Sequence, residues 1–203
     1  MNIILASGSP RRKKLLQQIN LEFEVHPSSI NENYEPNLSP DKIVCTLAMR
    51  KAADIAPKHA NALIIGADTI VTFKNNVLEK PATPDDAINM LHQLSGQTHN
   101  VFTGVALCKT DHANNILDRT TFSEVTKVTF GDLDPNDIAT YVAGGSPMDK
   151  AGSYGIQDDF GAIFVKRIEG DYNNVVGFPL HSFYNTVQKF AGTILPNTGS
   201  SRL

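Results

Sequence analysis

The chain has 203 residues, 41% of them hydrophobic and 19% charged, which suits one large domain or two small lobes with a sizeable core and no unusual composition. A formal charge of −3 leaves no global basic field, which argues against a nucleic acid polymer as the main partner and leaves local phosphate binding open. Cys45 and Cys108 form no CxxC, the six histidines form no metal-ligand spacing, and no apolar run approaches the ~20 residues of a membrane span, so reduced thiols in a cytoplasmic protein are expected.

Ile3, Ile4 and Leu5 form an apolar strand that Ala6-Ser7-Gly8 breaks, and Ser9-Pro10 then supplies an N-cap and a proline suited to the first helical position. The helix that follows buries Leu15, Leu16 and Ile19. Leu21 to Val25 alternates as a strand, and Ser28 to Ser39, with Glu32, Tyr34, Glu35 and Pro36, is a polar loop. Ser39-Pro40-Asp41 repeats the capping signature and opens a helix to about Ile55, with Ile43, Leu47 and Ile55 inward, Arg50 and Lys51 near its middle, and Pro57 as its stop. Ala62 to Val71 is apolar on both alternating faces, as in a strand buried on both sides of a mixed or parallel sheet, and Asp68 interrupts it.

Asn75-Asn76 marks a hairpin turn that returns through Val77 and Leu78 to Glu79-Lys80-Pro81, and Thr83-Pro84 caps a helix through Leu94. Asn100 to Lys109 and Thr120 to Phe130 are strands rich in Val, Thr and Phe, paired antiparallel across a polar excursion at Asp111 to Asn115. Asp134-Pro135 opens a helix through Val142, closed by Gly144-Gly145. Met148 to Gln157 is broken by glycines, Ala162 to Ile168 is a strand, Gly170 to Gly177 a turn-rich loop, and Pro179 to Phe190 a helix before a frayed tail at Pro196 to Leu203. The class is α/β: a mixed twisted sheet with flanking helices and a cleft between lobes, residues 1–195 making a single domain.

Two features call for chemistry. Arg11 and Arg12 fall in the first turn of a helix, where the macrodipole disfavours cations by roughly 0.3–1 kcal/mol per exposed charge. Either backbone N–H groups, serine hydroxyls and both guanidiniums converge on a phosphate, or Arg11 to Lys14 is a solvated face; no P-loop or GxGxxG fingerprint is present. Asp68 has flanks too apolar to leave it in bulk water. Its partner is Lys51, Lys80, Arg11, Arg12 or a divalent metal, unless it merely satisfies a strand kink. A carboxylate at a strand end near basic groups is what a water-activating base or metal ligand requires. Glu79-Lys80 is a surface ion pair on the plain reading, and Gln157, after two glycines, carries an amide able to read a base edge.

Taken together, SGSPRR at Ser7–Arg12, GADTIV at Gly66–Val71, EKP at Glu79–Pro81, LSGQTH at Leu94–His99, DKAGSYGIQ at Asp149–Gln157 and GDYNNVVGFPL at Gly170–Leu180 resemble the Maf family of nucleoside triphosphate pyrophosphatases. The resemblance implies a fold like that of inosine triphosphate pyrophosphatase, a homodimer, a divalent cation such as Mg²⁺ or Mn²⁺, and hydrolysis between the α- and β-phosphates. It also implies Asp68 as proton acceptor, Ser9, Arg11, Arg12, Lys51 and Lys80 as the phosphate-binding set, and Glu32 as an acid that holds the metal with Asp68.

Pro10-Arg11-Arg12, Ala67-Asp68-Thr69 and Tyr154-Gly155-Ile156-Gln157, with no tryptophan in the chain, resemble the dTTP/UTP branch, whose specificity positions correspond to Arg11, Thr69 and Gln157. Phe178 stands where leucine is frequent. The rivals are the branch that prefers 7-methylguanosine triphosphate and a non-catalytic nucleotide-binding regulator linked to septum formation.

Overall fold

In the computed structural model, which describes residues 1–194, the opening apolar run forms β1 (Asn2–Leu5) and Ser9-Pro10 starts α1 (Pro10–Gln18). The tail expected at Pro196 to Leu203 lies outside the described residues. A short β2 (Glu24–Val25) leads through the polar loop to α2 (Pro40–Ile55), whose last turn runs into a 3₁₀ turn around Pro57. The run with apolar residues on both faces becomes β3 (Ala62–Phe73), and its hairpin partner is β4 (Asn76–Leu78). Thr83 caps α3 (Pro84–Leu94) through a reciprocal box with Asp86, and β5 (Thr98–Thr110) and β6 (Ile116–Phe130) form the long antiparallel pair. Then follow α4 (Pro135–Ala143), two 3₁₀ turns, α5 (Asp159–Phe164), β7 (Val165–Glu169), α6 (Tyr172–Val176) and α7 (Leu180–Ala191).

The described strands form one mixed seven-stranded sheet in the order β2-β1-β3-β5-β6-β7, with β4 also on β3. β1 runs parallel to β2 and β3, and every other pairing is antiparallel. Because side chains alternate along a strand, Ile64, Gly66, Asp68 and Ile70 of β3 face α2, whereas Leu63, Ile65, Ala67 and Val71 face the larger core that includes α3 and α7. Helix α2 lies close against the sheet for a steric reason. A Cβ on Gly66 would sit 2.1 Å from the Ala48 carbonyl oxygen, and one on Gly104, opposite Asp68 on β5, 2.4 Å from the Val44 carbonyl carbon. Glycine at both positions sets the depth at which Lys51, one turn beyond Leu47, meets the strand.

The pairing of β3 has a gap. β1 covers Ala62–Ile65 and β4 covers Val71–Phe73 on the same edge, so Gly66 to Ile70 has a strand neighbour only in β5. The chain leaving β1 turns into α1 at this opening, and the cleft forms here.

Three segments differ from the sequence-based expectation. The strand at Leu21–Val25 shrinks to Glu24–Val25, because the Leu21 N–H bonds to the Leu16 carbonyl and closes α1, with Asn20 left-handed at φ 55°. The strand expected at Ala162 to Ile168 begins only at Val165; the preceding turn is α5, whose Phe164 packs on Phe130 and Tyr141. In the Gly170–Gly177 loop, Asp171 caps the Asn173 N–H and nucleates α6, which Gly177 ends at φ 120°.

Candidate active site

The gap in β3 opens onto a cavity of about 680 Å³, the size of a small-ligand site. Five cationic side chains (Arg11, Arg12, Lys51, Lys80 and Lys150) and four acidic ones (Glu32, Asp68, Glu79 and Asp149) line it. This is a dense set of charges for a chain of net charge −3.

Asp68 sits on the α2 face of β3 at the gap and is 6% exposed. Of the four cations the sequence offered it, Lys51 is the partner: Nζ donates to Asp68 Oδ1 at 2.6 Å and lies 2.7 Å from Glu32 Oε1. The second Asp68 oxygen, Oδ2, makes no hydrogen bond among the described residues. Lys51 thus joins the two carboxylates that the sequence placed 36 positions apart. Burial raises the Glu32 pKa, but the hydrogen bond and charge of Lys51, with Lys80 and Arg12 behind it, outweigh burial and hold it below the usual range. The Glu32 loop is fixed from outside the cavity by Arg50, which donates at 2.6 Å to both the Asn31 and Asn33 carbonyls, on either side of Glu32. Across the cleft, the Tyr34 hydroxyl reaches Glu79 Oε1 at 3.3 Å.

Arg12 fills the gap itself. Its Nη1 donates at 2.9 Å to Ser7 Oγ and to the Ala67 carbonyl, its Nη2 at 3.0 Å to Thr69 Oγ1, and its Nε at 3.0 Å to the Gly177 carbonyl. Four of the five guanidinium N–H groups are therefore engaged, and the side chain takes the place of the missing strand neighbour. Burial lowers its pKa against the pull of Asp68, yet a guanidinium stays charged. Thr69 faces away from α2, where its hydroxyl also meets Thr103 Oγ1 at 3.0 Å. Ser9 caps α1 by accepting from the Arg12 N–H.

Arg11 points the other way, donating to the Asp149 carboxylate at 2.8 Å and to its carbonyl at 3.3 Å. Burial raises the Asp149 pKa, and hydrogen bonds from Lys150 and Arg11 more than reverse this. The Glu79–Lys80 ion pair does not form: among the described residues Lys80 has no hydrogen bond or ion pair, and its charge is felt only at longer range by Glu32. Gln157 Nε2 donates to Asp158 Oδ2 at 2.9 Å, while its Oε1 is shielded from solvent and without a hydrogen-bond partner among the described residues.

The geometry therefore brings Ser9, Arg11, Arg12, Glu32, Lys51, Asp68, Thr69, Lys80 and Gln157 around one cavity. Sequence reasoning missed Arg50 and Lys150. A lysine between two glycine-broken turns gave no periodic signal for the latter, although Lys150 is only 8% exposed. For Arg50, adjacency to Lys51 on an inward-facing helix was the available hint.

The chain is similar to known proteins over most of its length. The chain is 46% identical over 188 residues to a Bacillus cereus (strain B4264) protein named dTTP/UTP pyrophosphatase, covering 93% of this chain and 95% of that one. Relatives of the same name in Halalkalibacterium halodurans (51% over 178 residues, 88% of this chain and 90% of that one) and Shouchella clausii (46% over 196 residues, 97% and 98%) also match over most of their length. Among solved structures, a HAM1 protein from Coxiella burnetii aligns with TM-score 0.49 and 16% identity over 94% of this chain and 100% of that one, a likeness too distant to carry weight of its own. The family described as Maf-like protein matches residues 2–190, nearly all of the described chain, and this chain belongs to it.

Proposed function

We propose that this protein hydrolyses dTTP and UTP to the nucleoside monophosphate and pyrophosphate, within a single domain of two lobes spanning residues 1–195. The observation that carries the proposal is Asp68, a buried carboxylate held on one oxygen by Lys51 and, among the described residues, without a hydrogen-bond partner on the other, at the break in β3 where the cavity opens. The names of full-length relatives at 45–51% identity support the same reaction and substrates.

In this reading Asp68 Oδ2 takes a proton from the attacking water as the α–β phosphoanhydride bond breaks, and Lys51 keeps the carboxylate in place. Lys80 is free to bind the phosphates. Arg11 and the remaining Arg12 N–H add positive charge at the start of α1, where Ser9 and the helix N-terminus face the same cavity. Phosphoryl transfer depends chiefly on positioning and charge neutralisation, which this cluster of fixed cations provides.

The donor set is consistent with a divalent cation, Mg²⁺ or Mn²⁺. No group of three or more His, Cys, Asp or Glu side chains is poised to hold a metal among the described residues, so Glu32 and Asp68 would supply two carboxylates and the substrate phosphates the rest. Mg²⁺ commonly binds in this way at nucleotide sites. Such an ion would neutralise charge on the triphosphate oxygens.

Arg11, Thr69 and Gln157 are the residues we assign to base selection. An amide that donates to O4 and accepts from N3–H matches the edge shared by uracil and thymine, and cytosine presents the reverse pattern. The proposal includes a homodimer, as the family resemblance implies, and a cytoplasmic location; no described helix is long and apolar enough to cross a membrane. Pyrophosphate release measured across dTTP, UTP, CTP, GTP and 7-methyl-GTP tests it. Preference for dTTP and UTP is expected, whereas preference for the methylated purine, or binding of every triphosphate without turnover, would overturn it.

A further inference from the structure

The side chains around the base-reading residues form a continuous chain of charged contacts. Arg11 Nη1 lies 2.8 Å from Asp149 Oδ2, and Asp149 Oδ1 lies 2.8 Å from Lys150 Nζ. Lys150 Nζ lies 3.8 Å from Asp158 Oδ2, which in turn accepts from Gln157 Nε2 at 2.9 Å. Two of the three residues assigned to base selection, Arg11 and Gln157, are thereby tied together through Asp149, Lys150 and Asp158. Lys150 is the hub: it is 8% exposed and also donates to the Ser146 carbonyl. The packing has made room for this hub, since a Cβ on Gly155 would lie 2.7 Å from Lys150 Cε and 2.9 Å from Asp158 Oδ2.

The chemistry of the amide makes the last link informative. An ionised carboxylate only accepts hydrogen bonds, so the atom of Gln157 that faces Asp158 is the NH₂ group. One of its two N–H bonds is spent there, the other is left to donate, and Oε1 has no hydrogen-bond partner among the described residues. A shielded, unpartnered carbonyl is costly until a donor reaches it. The combination left over, one donor and one acceptor in fixed order, is the complement of a uracil or thymine edge. Rotating the amide by half a turn would reverse the order and suit cytosine, but would bring a carbonyl oxygen against the Asp158 carboxylate.

We infer that Asp158, held by Lys150, sets the base preference by locking the Gln157 amide in the orientation that accepts from N3–H and rejects cytosine. This rests on the base-reading role proposed above for Gln157. Asp158 and Lys150 are positioning residues that act through Gln157. Lys150 is the one cavity cation that the Asp158 side chain meets, and Arg11, Arg12, Lys51, Lys80 and Asp68 make no hydrogen bond or ion pair with it among the described residues, so the effect falls on substrate choice.

The test is the ratio of kcat/KM for UTP over CTP, read by pyrophosphate release, in the wild type and in Asp158→Asn, Lys150→Met, Gln157→Ala and Asp158→Asn with Gln157→Ala. Asp158→Asn is isosteric and gives the amide a partner in either orientation, so the ratio should fall about tenfold, the value of one oriented hydrogen bond. Lys150→Met should lower the ratio in the same direction, and the double variant should discriminate no worse than Gln157→Ala alone. Thermal unfolding of each variant separates this from loss of fold. A wild-type ratio in folded Asp158→Asn, with discrimination lost in Gln157→Ala, would overturn the inference and leave the base-reading role standing. A wild-type ratio in Gln157→Ala would overturn that role and the inference with it.

Discussion

Replacing Lys51 by methionine removes the cation that links Glu32 to Asp68 while keeping most of the buried stem. The Lys51 side chain is 10% exposed and that of Asp68 8%, so the deletion leaves a carboxylate in the protein interior without its 2.6 Å partner. Breaking a buried ion pair on one side costs about 3–5 kcal/mol, mostly because the remaining charge is uncompensated. Glu32, with a side chain 53% exposed, regains water and adds little. We therefore expect Lys51→Met to destabilise the fold by about 3 kcal/mol, or roughly 6–12 °C in melting temperature for a domain of this size. Urea unfolding at pH 7 provides the assay, run as a double-mutant cycle with Asp68→Asn. The double variant should recover most of the lost stability, since no buried carboxylate is left stranded, and should recover no activity. If Lys51→Met unfolds within about 0.5 kcal/mol of the wild type, or if the two substitutions add, the ion pair is not what holds Asp68.

Three further outcomes follow from the same geometry. Gly66→Ala places a Cβ 2.1 Å from a backbone oxygen of α2, so the helix must move; we expect a loss of about 3 kcal/mol in chemical denaturation, with activity falling as Lys51 is displaced. Lys80→Ala should raise the KM for UTP about tenfold or more with unfolding unchanged, because Lys80 has no partner among the described residues, whereas Arg12→Ala should also lower stability by about 2 kcal/mol or more through its four lost hydrogen bonds. Burial lowers the His99 pKa from 6.5 to about 4. Between those values the unfolded chain binds a proton that the folded one does not, so stability should fall as pH drops from 6.5 towards 4, by up to roughly 3 kcal/mol, and this component should be absent in a folded His99→Gln variant.

Much of the site was legible in the sequence because its parts break local rules. An aspartate inside an apolar strand and two arginines at a helix start each carry an energetic penalty that only a partner removes, and both mark the cavity. Lys51 was visible as a lysine on the α2 face shared with Leu47 and Ile55. Local pattern could not reveal that Arg12 spends four donors on the gap in β3, because that gap exists only once β1 and β4 share an edge. Nor could it show that Arg50 grips the Glu32 loop or that Lys150 is buried, since their partners are backbone carbonyls and carboxylates brought together by tertiary packing. Segment ends failed where capping decided them: Leu21 closes α1, and Asp171 starts a helix in a stretch whose composition indicated only turns.

The central claim is that Asp68 activates the attacking water, and Asp68→Asn tests it most directly. The amide keeps the shape of the side chain and leaves Lys51 paired with Glu32. Pyrophosphate release from UTP should fall by about 10²–10⁴-fold, the usual contribution of a positioned general base, while the melting temperature changes little. Turnover within threefold of the wild type would contradict the account.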